Sequence, residues 1–290
     1  MKLQKILKAT IFALAILLSF SGCGNKNQDR NTDTVLEAYR LIDEQRTDEA
    51  IELLESSLAK DPKNSEFKAV LASAYAHKAG IKIQKLVPIL NQTDKLKKMN
   101  DKLPDISKDK SISEKVNAGA LNVAMLLTRF AGFFETYSSV PLVTKDQATY
   151  LSHAIYILND IGSEIKPEDV LYRAVLEIIL FKHVLSEGLI GEFSEPQTKD
   201  EQTCRIDLGN VNDTVIKLGK LLIDIYNDIG FANPKQAVDM KKMAEQTGES
   251  VSNITIATTT VTVLDEAANI FLKQAIVQNG FGKIIKCGGN

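Results

Sequence analysis

The chain has 290 residues, of which 44% are hydrophobic and 25% charged, with 7 Pro, no Trp and a formal net charge of −2. This balance excludes an intrinsically disordered chain and a solid transmembrane bundle: apolar residues suffice for a core, yet charges are frequent throughout. A mildly acidic body is a poor match for nucleic-acid phosphates, and an aromatic content of 6% argues against carbohydrate platforms and aromatic ligand cages. The length allows one helical array or two loosely separable parts.

Residues 1–22 have the organisation of a targeting segment, with Lys2, Lys5 and Lys8 ahead of an apolar run from Ala9 to Phe20. That run is shorter than the roughly 20 residues needed to cross a bilayer. It ends in Phe20-Ser21-Gly22-Cys23, which resembles the lipobox of bacterial lipoproteins, departing from it at Phe20, where that pattern has Leu. The resemblance implies cleavage before Cys23, a diacylglycerol on its thiol and an acyl chain such as palmitate on the new amine. The lipid bilayer is then a partner through acylated Cys23, because each buried methylene contributes about 0.8 kcal/mol. Gly24 in place of Asp points to the outer membrane, with the body in the periplasm. The competing reading is an ordinary secretory signal followed by an unrelated cysteine. Loss of residues 1–22 removes three lysines and no acids, taking the formal charge from −2 to about −5.

Residues 23–33 (CGNKNQDRNTD) form a short polar tether. Thr34-x-x-Glu37 has the form of a capping box, so the first helix is expected to start there. A second helix is expected over about Thr47–Lys60 and a third from near Ser65, with Phe67, Val70, Leu71, Ala74 and Tyr75 on one face. Within residues 34–90, Asp48-Glu49-Ala50-Ile51, Leu54, Leu58, Asp61-Pro62, Leu71-Ala72 and Tyr75 resemble the tetratricopeptide repeat, a 34-residue helix–turn–helix that stacks on copies of itself. The sequence departs from that repeat at Thr34 and Glu37, where it has large apolar residues, and at Gln45, where it has Gly. The resemblance implies an all-α fold of antiparallel helix hairpins in an α-α superhelical array, with a protein partner gripped along a groove.

Residues 91–112 are rich in Lys and Asp of alternating sign, the pattern of a solvated, mobile loop. Residues 113–190 read as a helical core. Ser111-x-x-Glu114 would cap a long helix whose stripe Val116, Ala120, Val123, Leu127, Phe130, Phe134 and Tyr137 recurs at helical spacing. Its other faces are also largely apolar, which makes it central. Phe130, Phe134 and Tyr137 then serve either as core or as the wall of an apolar groove. Thr144-x-x-Gln147 would cap the next helix, and Pro167 would start another at its favoured first position. Pro62, Phe67, Ala69, Val70 and Leu71 recur as Pro167, Tyr172, Ala174, Val175 and Leu176 at an offset of 105, and Ala50-Ile51 recurs as Ala154-Ile155 at an offset of 104. This echo suggests a second, degenerate repeat. Residues 191–210 read as a polar loop holding Cys204, and residues 211–290 as C-terminal helices. The run Ile254–Val263 has strand-like composition, but Val251, Ile254, Thr258, Val261 and Leu264 continue a helical face through it, so helix is expected.

With Cys23 lipidated, Cys204 and Cys287 remain, and an oxidising compartment would let them pair. Zinc ligation is the alternative, but His77, His153 and His183 stand at no ligand spacing with a cysteine. The sequence holds no Gly-rich phosphate loop, no HExxH and no GxSxG; Gly280-Phe281-Gly282 lacks the third glycine of a dinucleotide fingerprint. No catalytic residue, cofactor or metal is therefore predicted. His77, beside Tyr75 on the most repeat-like helix, falls either in a groove or at an exposed or capping position, the latter favoured. His153 and His183 read as solvated. The reading that results is a membrane-anchored periplasmic lipoprotein acting as a non-catalytic scaffold or adaptor. The alternative is a lipoprotein that binds an apolar small molecule, as an accessory of a transport system. A protein-binding groove would be open and lined with polar and Tyr side chains around Tyr75 and His77. A ligand site would be an enclosed apolar cavity beside Phe130, Phe134 and Tyr137.

Overall fold

The computed structural model describes residues 26–82, 96, 118–137, 139–190, 193–194, 205–206 and 208–258. Among these are eight α-helices: α1 (Lys26–Asp43), α2 (Thr47–Leu58), α3 (Ser65–Lys78), α4 (Ala118–Thr136), α5 (Lys145–Asn159), α6 (Pro167–Val184), α7 (Leu208–Ala232) and α8 (Ala237–Thr258). A two-residue antiparallel ladder, Phe193–Ser194 with Arg205–Ile206, is the only sheet among the described residues. It falls inside the segment expected to be a loop.

Local chemistry accounts for three of the helix starts. Asn64 caps α3 by accepting from the Phe67 N–H. Thr144 and Gln147 form the expected capping box, each side chain bonding the other's backbone N–H. Pro167 opens α6, where its missing N–H costs nothing. The expected start at Thr34 is corrected: α1 begins at Lys26. Lys26–Asp33 contains no Gly or Pro, so extending an existing helix adds a backbone bond per residue without a nucleation cost. Glu37 then serves as a surface partner for Arg40, at 2.6 Å, instead of as a cap.

The helices do not stack in chain order. Packing runs α1, α2, α3, α5, α6, α7, α8, and α4 lies against α8 and α7. Lys68 near the start of α3 meets Asp160 at the end of α5, so α3 and α5 are antiparallel neighbours. The chain between them, residues 79–144, makes an excursion that includes α4. Hairpins α3/α5 and α6/α7 therefore follow α1/α2 as successive layers of an all-helical array.

The echo noted in the sequence has a geometric counterpart. Ala50 and Ala154 are both 0% exposed, and Ile51 and Ile155 are both 8% exposed. Val70, Leu71, Val175 and Leu176 are all buried. The α5–α6 pair thus presents the same positions for packing as α2–α3. Two apolar clusters result. A smaller one joins α1, α2 and α3, and a larger one spans α3 to α8. Tyr75 and Ile157 touch both. Tight approach is built in at Gly219 on α7, where an added Cβ would collide with Val251 of α8.

Candidate functional site

The five residues expected to line a groove are divided by the fold. Phe130 and Tyr137 are buried in the larger cluster. There Phe130 packs edge-on to Phe181 at 5.4 Å, and Phe133 meets Phe181 and Tyr137 at 4.7 Å and Tyr226 at 6.5 Å. Aromatic rings from α4, α6 and α7 fill one another's space, as interiors packed near crystal density do. These side chains are core. The Phe134 side chain lies outside the described residues, as do Cys23, Cys204 and Cys287.

Tyr75 and His77 lie instead on the α2–α3–α5 side. Tyr75 stacks on His153 at 5.5 Å and on Tyr150 at 6.5 Å, and its hydroxyl donates to Glu55 at 2.8 Å. Burial, and then the Glu55 carboxylate, push its pKa up to about 12. His77 Nδ1 lies 3.0 Å from Thr47 Oγ1, tying the end of α3 to the start of α2. Lys78 reaches Asp48 at 2.6 Å and sits 4.7 Å above the Tyr150 ring. Gln45, Thr47, Asp48, His77, Lys78, Gly80 and Lys82 border an open cleft of about 350 Å³. His153 is exposed, as expected, but His183 is not solvated: it is buried and bonds the Val143 carbonyl at 2.9 Å. Its neighbour Lys182, also buried, donates to the Val140 carbonyl. Together they satisfy two carbonyls of the segment that links α4 to α5.

Two further constellations have no forerunner in the sequence reading. The first is buried in the α6–α7 seam. Arg173 holds both carboxylate oxygens of Asp228, at 2.6 and 2.7 Å, and Asn159 Oδ1 at 2.6 Å. One turn along α6, Glu177 is 2% exposed and its Oε2 has no hydrogen-bond partner. Burial, then the charges of Asp228 and Asp224, raise its pKa to about 9 against the opposing pull of Arg173, so the carboxyl is protonated at neutral pH.

The second lies on α1, which packs against α2 and α3. Tyr39 on α1 is 46% exposed, and Leu36, one turn earlier, is 62% exposed. Burial and then the charges of Asp169 on α6 and Glu66 on α3 raise the Tyr39 hydroxyl, so both carboxylates lie within electrostatic reach of it. Tyr172 of α6, half-buried, lies close enough to feel Tyr39 and abuts Ser73 of α3. The signal that could have found this face is the spacing of Leu36 and Tyr39, together with Tyr172 as the polar-tipped echo of buried Phe67.

No group of three or more His, Cys, Asp or Glu residues suited to a metal occurs among the described residues, and no described helix is long and apolar enough to cross a membrane. The site features and the layered hairpins define a helical-repeat class of protein. A tetratricopeptide repeat family model matches residues 41–79, the end of α1 with α2 and α3. No curated protein and no solved structure matches the chain. The matched repeat supports a role in protein interaction, with the partner unspecified.

Proposed function

We propose that the chain is a lipid-anchored, non-catalytic scaffold of the bacterial cell envelope, facing the periplasm from the outer membrane and holding a protein partner against its helical array. The single observation that carries the interaction role is the tetratricopeptide repeat matched over residues 41–79; just before it, α1 leaves Leu36 and Tyr39 exposed. Exposed apolar side chains gathered on one helix face, next to charged neighbours, are characteristic of an interaction surface. Support for the anchor is the lipobox-like Phe20-Ser21-Gly22-Cys23. In the same oxidising compartment Cys204 and Cys287 would pair, which alkylation with and without reductant would reveal.

Two measurements test this reading. Cys23→Ala should shift the protein out of the detergent phase or leave an uncleaved precursor; unchanged partitioning would defeat the anchor. A photo-crosslinking amino acid at Tyr39, activated in intact envelopes, should give a discrete protein adduct that mass spectrometry can identify. Adducts to lipid alone, or none, would defeat the scaffold.

A further inference from the structure

Val238 is 82% exposed and Phe231 60% exposed, one on each side of the turn that joins α7 to α8. The two helices meet tightly here: a Cβ added at Gly230 would lie 3.1 Å from the Met240 Cβ and 3.5 Å from the Ala237 Cα. Phe231 and Val238, the residues that follow Gly230 and Ala237, therefore emerge together at the hairpin tip. Much of the turn's backbone is bonded internally. Asn233 donates to the Ile229 carbonyl at 2.9 Å, Gln236 to that of Asn233 at 2.9 Å and Ala237 to that of Pro234 at 3.4 Å. Cations flank the apolar pair. Lys235 and Lys242 are exposed and have no ion pair among the described residues, and exposed Lys241 reaches only Glu245, at 3.9 Å. Asp239 falls in the first turn of α8, where a carboxylate complements the helix N-terminus. The adjoining α5–α6 turn carries exposed Asp160, Glu164 and Glu168 with Lys166, so the positive charge is confined to the α7–α8 hairpin.

Two apolar side chains on a protruding turn fall far short of the roughly 1,000 Å² that a stable protein interface buries. A bilayer sets no such requirement, because lipid moulds itself around a small tip. Apolar side chains can enter the boundary between headgroups and acyl chains while lysine ammonium groups stay among the phosphates. We infer that the α7–α8 tip docks on the surface of a phospholipid bilayer, with Phe231 and Val238 entering it and Lys235, Lys241 and Lys242 meeting lipid phosphates.

The direction of the helices fits this placement. Thr47 at the start of α2 meets His77 at the end of α3, and Lys68 near the start of α3 meets Asp160 just beyond α5. Arg173 near the start of α6 meets both Asn159 at the end of α5 and Asp228 near the end of α7. Each helix is thus antiparallel to the one it packs on, and the α7–α8 tip lies at the end of the array where α1 begins. This step alone rests on the anchor proposed above, since α1 closely follows Cys23 in sequence. A tether at that end would keep the tip near the bilayer, so that even a weak contact is formed most of the time. The second contact turns a swivelling tether into an oriented scaffold, with the α1–α2 turn and the open cleft beside it facing away from the membrane.

The chain has no Trp, so Phe231→Trp, which keeps an aromatic ring at the tip, installs a single fluorescent reporter. The purified full-length variant is mixed with vesicles of phosphatidylcholine and phosphatidylglycerol whose acyl chains carry bromine. Its emission should shift to the blue and be quenched at least twofold. Leu142→Trp, an exposed apolar site in the α4–α5 link at the opposite end of the array, should be unaffected. Adding Val238→Asp to Phe231→Trp should abolish the quenching, and adding Lys235→Glu with Lys242→Glu should weaken it, whereas adding Leu142→Asp should change nothing. Circular dichroism melts would show that each variant is folded. No quenching of folded Phe231→Trp protein, equal quenching of Leu142→Trp protein, or equal loss on adding Leu142→Asp would overturn the docking. The anchor is read separately, by detergent partitioning of the parent chain. Partitioning without quenching at the tip would defeat the docking alone, and quenching without partitioning would defeat the anchor and leave the docking standing.

Discussion

Arg173 on α6 clasps the carboxylate of Asp228 near the end of α7 with two parallel bonds, at 2.7 and 2.6 Å. The corresponding position 105 residues earlier is Lys68 on α3, which reaches Asp160 just beyond the end of α5 at 2.7 Å. In each layer a basic side chain near the start of one helix holds an acid at the far end of its antiparallel neighbour. The planar guanidinium permits a bidentate grip that the ammonium does not.

The Arg173–Asp228 pair is buried, with side-chain exposures of 17% and 8%. Removing one member of such a pair strands the other and costs roughly 3–5 kcal/mol. Arg173→Ala should therefore lower the stability seen in denaturant melts by about that amount, all the more because the charge of Asp224 also acts on Arg173. Lys68→Ala, whose partner Asp160 is exposed, should cost well under 1 kcal/mol.

Glu177 gives a pH dependence of defined sign. Its folded pKa, about 9, stands above the ordinary 4.5. The folded chain therefore holds a proton that the unfolded chain releases, so this group's contribution to stability is complete below about pH 4.5 and is lost as pH rises toward about 9. Glu177→Gln should remove that loss. The variant should be more stable than the parent by a margin that grows between pH 5 and 9 in parallel thermal melts. A margin independent of pH would show that the carboxyl is ionised in the folded state.

Gln45 occupies the turn between α1 and α2 with φ of 63°, the left-handed region that a side chain disfavours by about 1–2 kcal/mol. This is the position at which the tetratricopeptide repeat has Gly. Gln45→Gly should stabilise the protein by up to about 1 kcal/mol, the relief of strain being partly offset by the entropy of Gly in the unfolded chain.

Ala50 and Ala72 are both fully buried where α2 and α3 approach their neighbours. Ala50→Leu or Ala72→Leu should overpack these contacts and cost on the order of 1–3 kcal/mol. Gly219→Ala should act the same way at the α7–α8 crossing, because the new methyl would meet Val251. Chemical denaturation of the three variants measures the penalty.

Much of the architecture was decided locally and could be seen without coordinates. Pro62, Asn64, the Thr144/Gln147 box and Pro167 punctuate helices through their own backbone chemistry. The three-and-four spacing of α4, α5 and α6 marks them as helical and largely apolar. The echo of Ala50-Ile51 and Val70-Leu71 at Ala154-Ile155 and Val175-Leu176 announced two similarly packed helix pairs, since small and branched residues must fall where backbones meet. Tertiary structure alone decided the order of stacking, because helix–helix contact depends on which apolar faces remain uncovered and not on adjacency along the chain. It brings α5 back against α3 across residues 79–144 and sends α4 to α7 and α8, which turns Phe130 and Tyr137 into core instead of a groove wall. It also buried Glu177 at the position one offset beyond Ala72, where local spacing shows only a polar residue on a helix, and enclosed His183 against a carbonyl 40 residues away. Leu36 and Tyr39 read as ordinary helical positions in the sequence; only the packing of α1 against α2 and α3 decides that they stay exposed, because exposure depends on which neighbours cover a face.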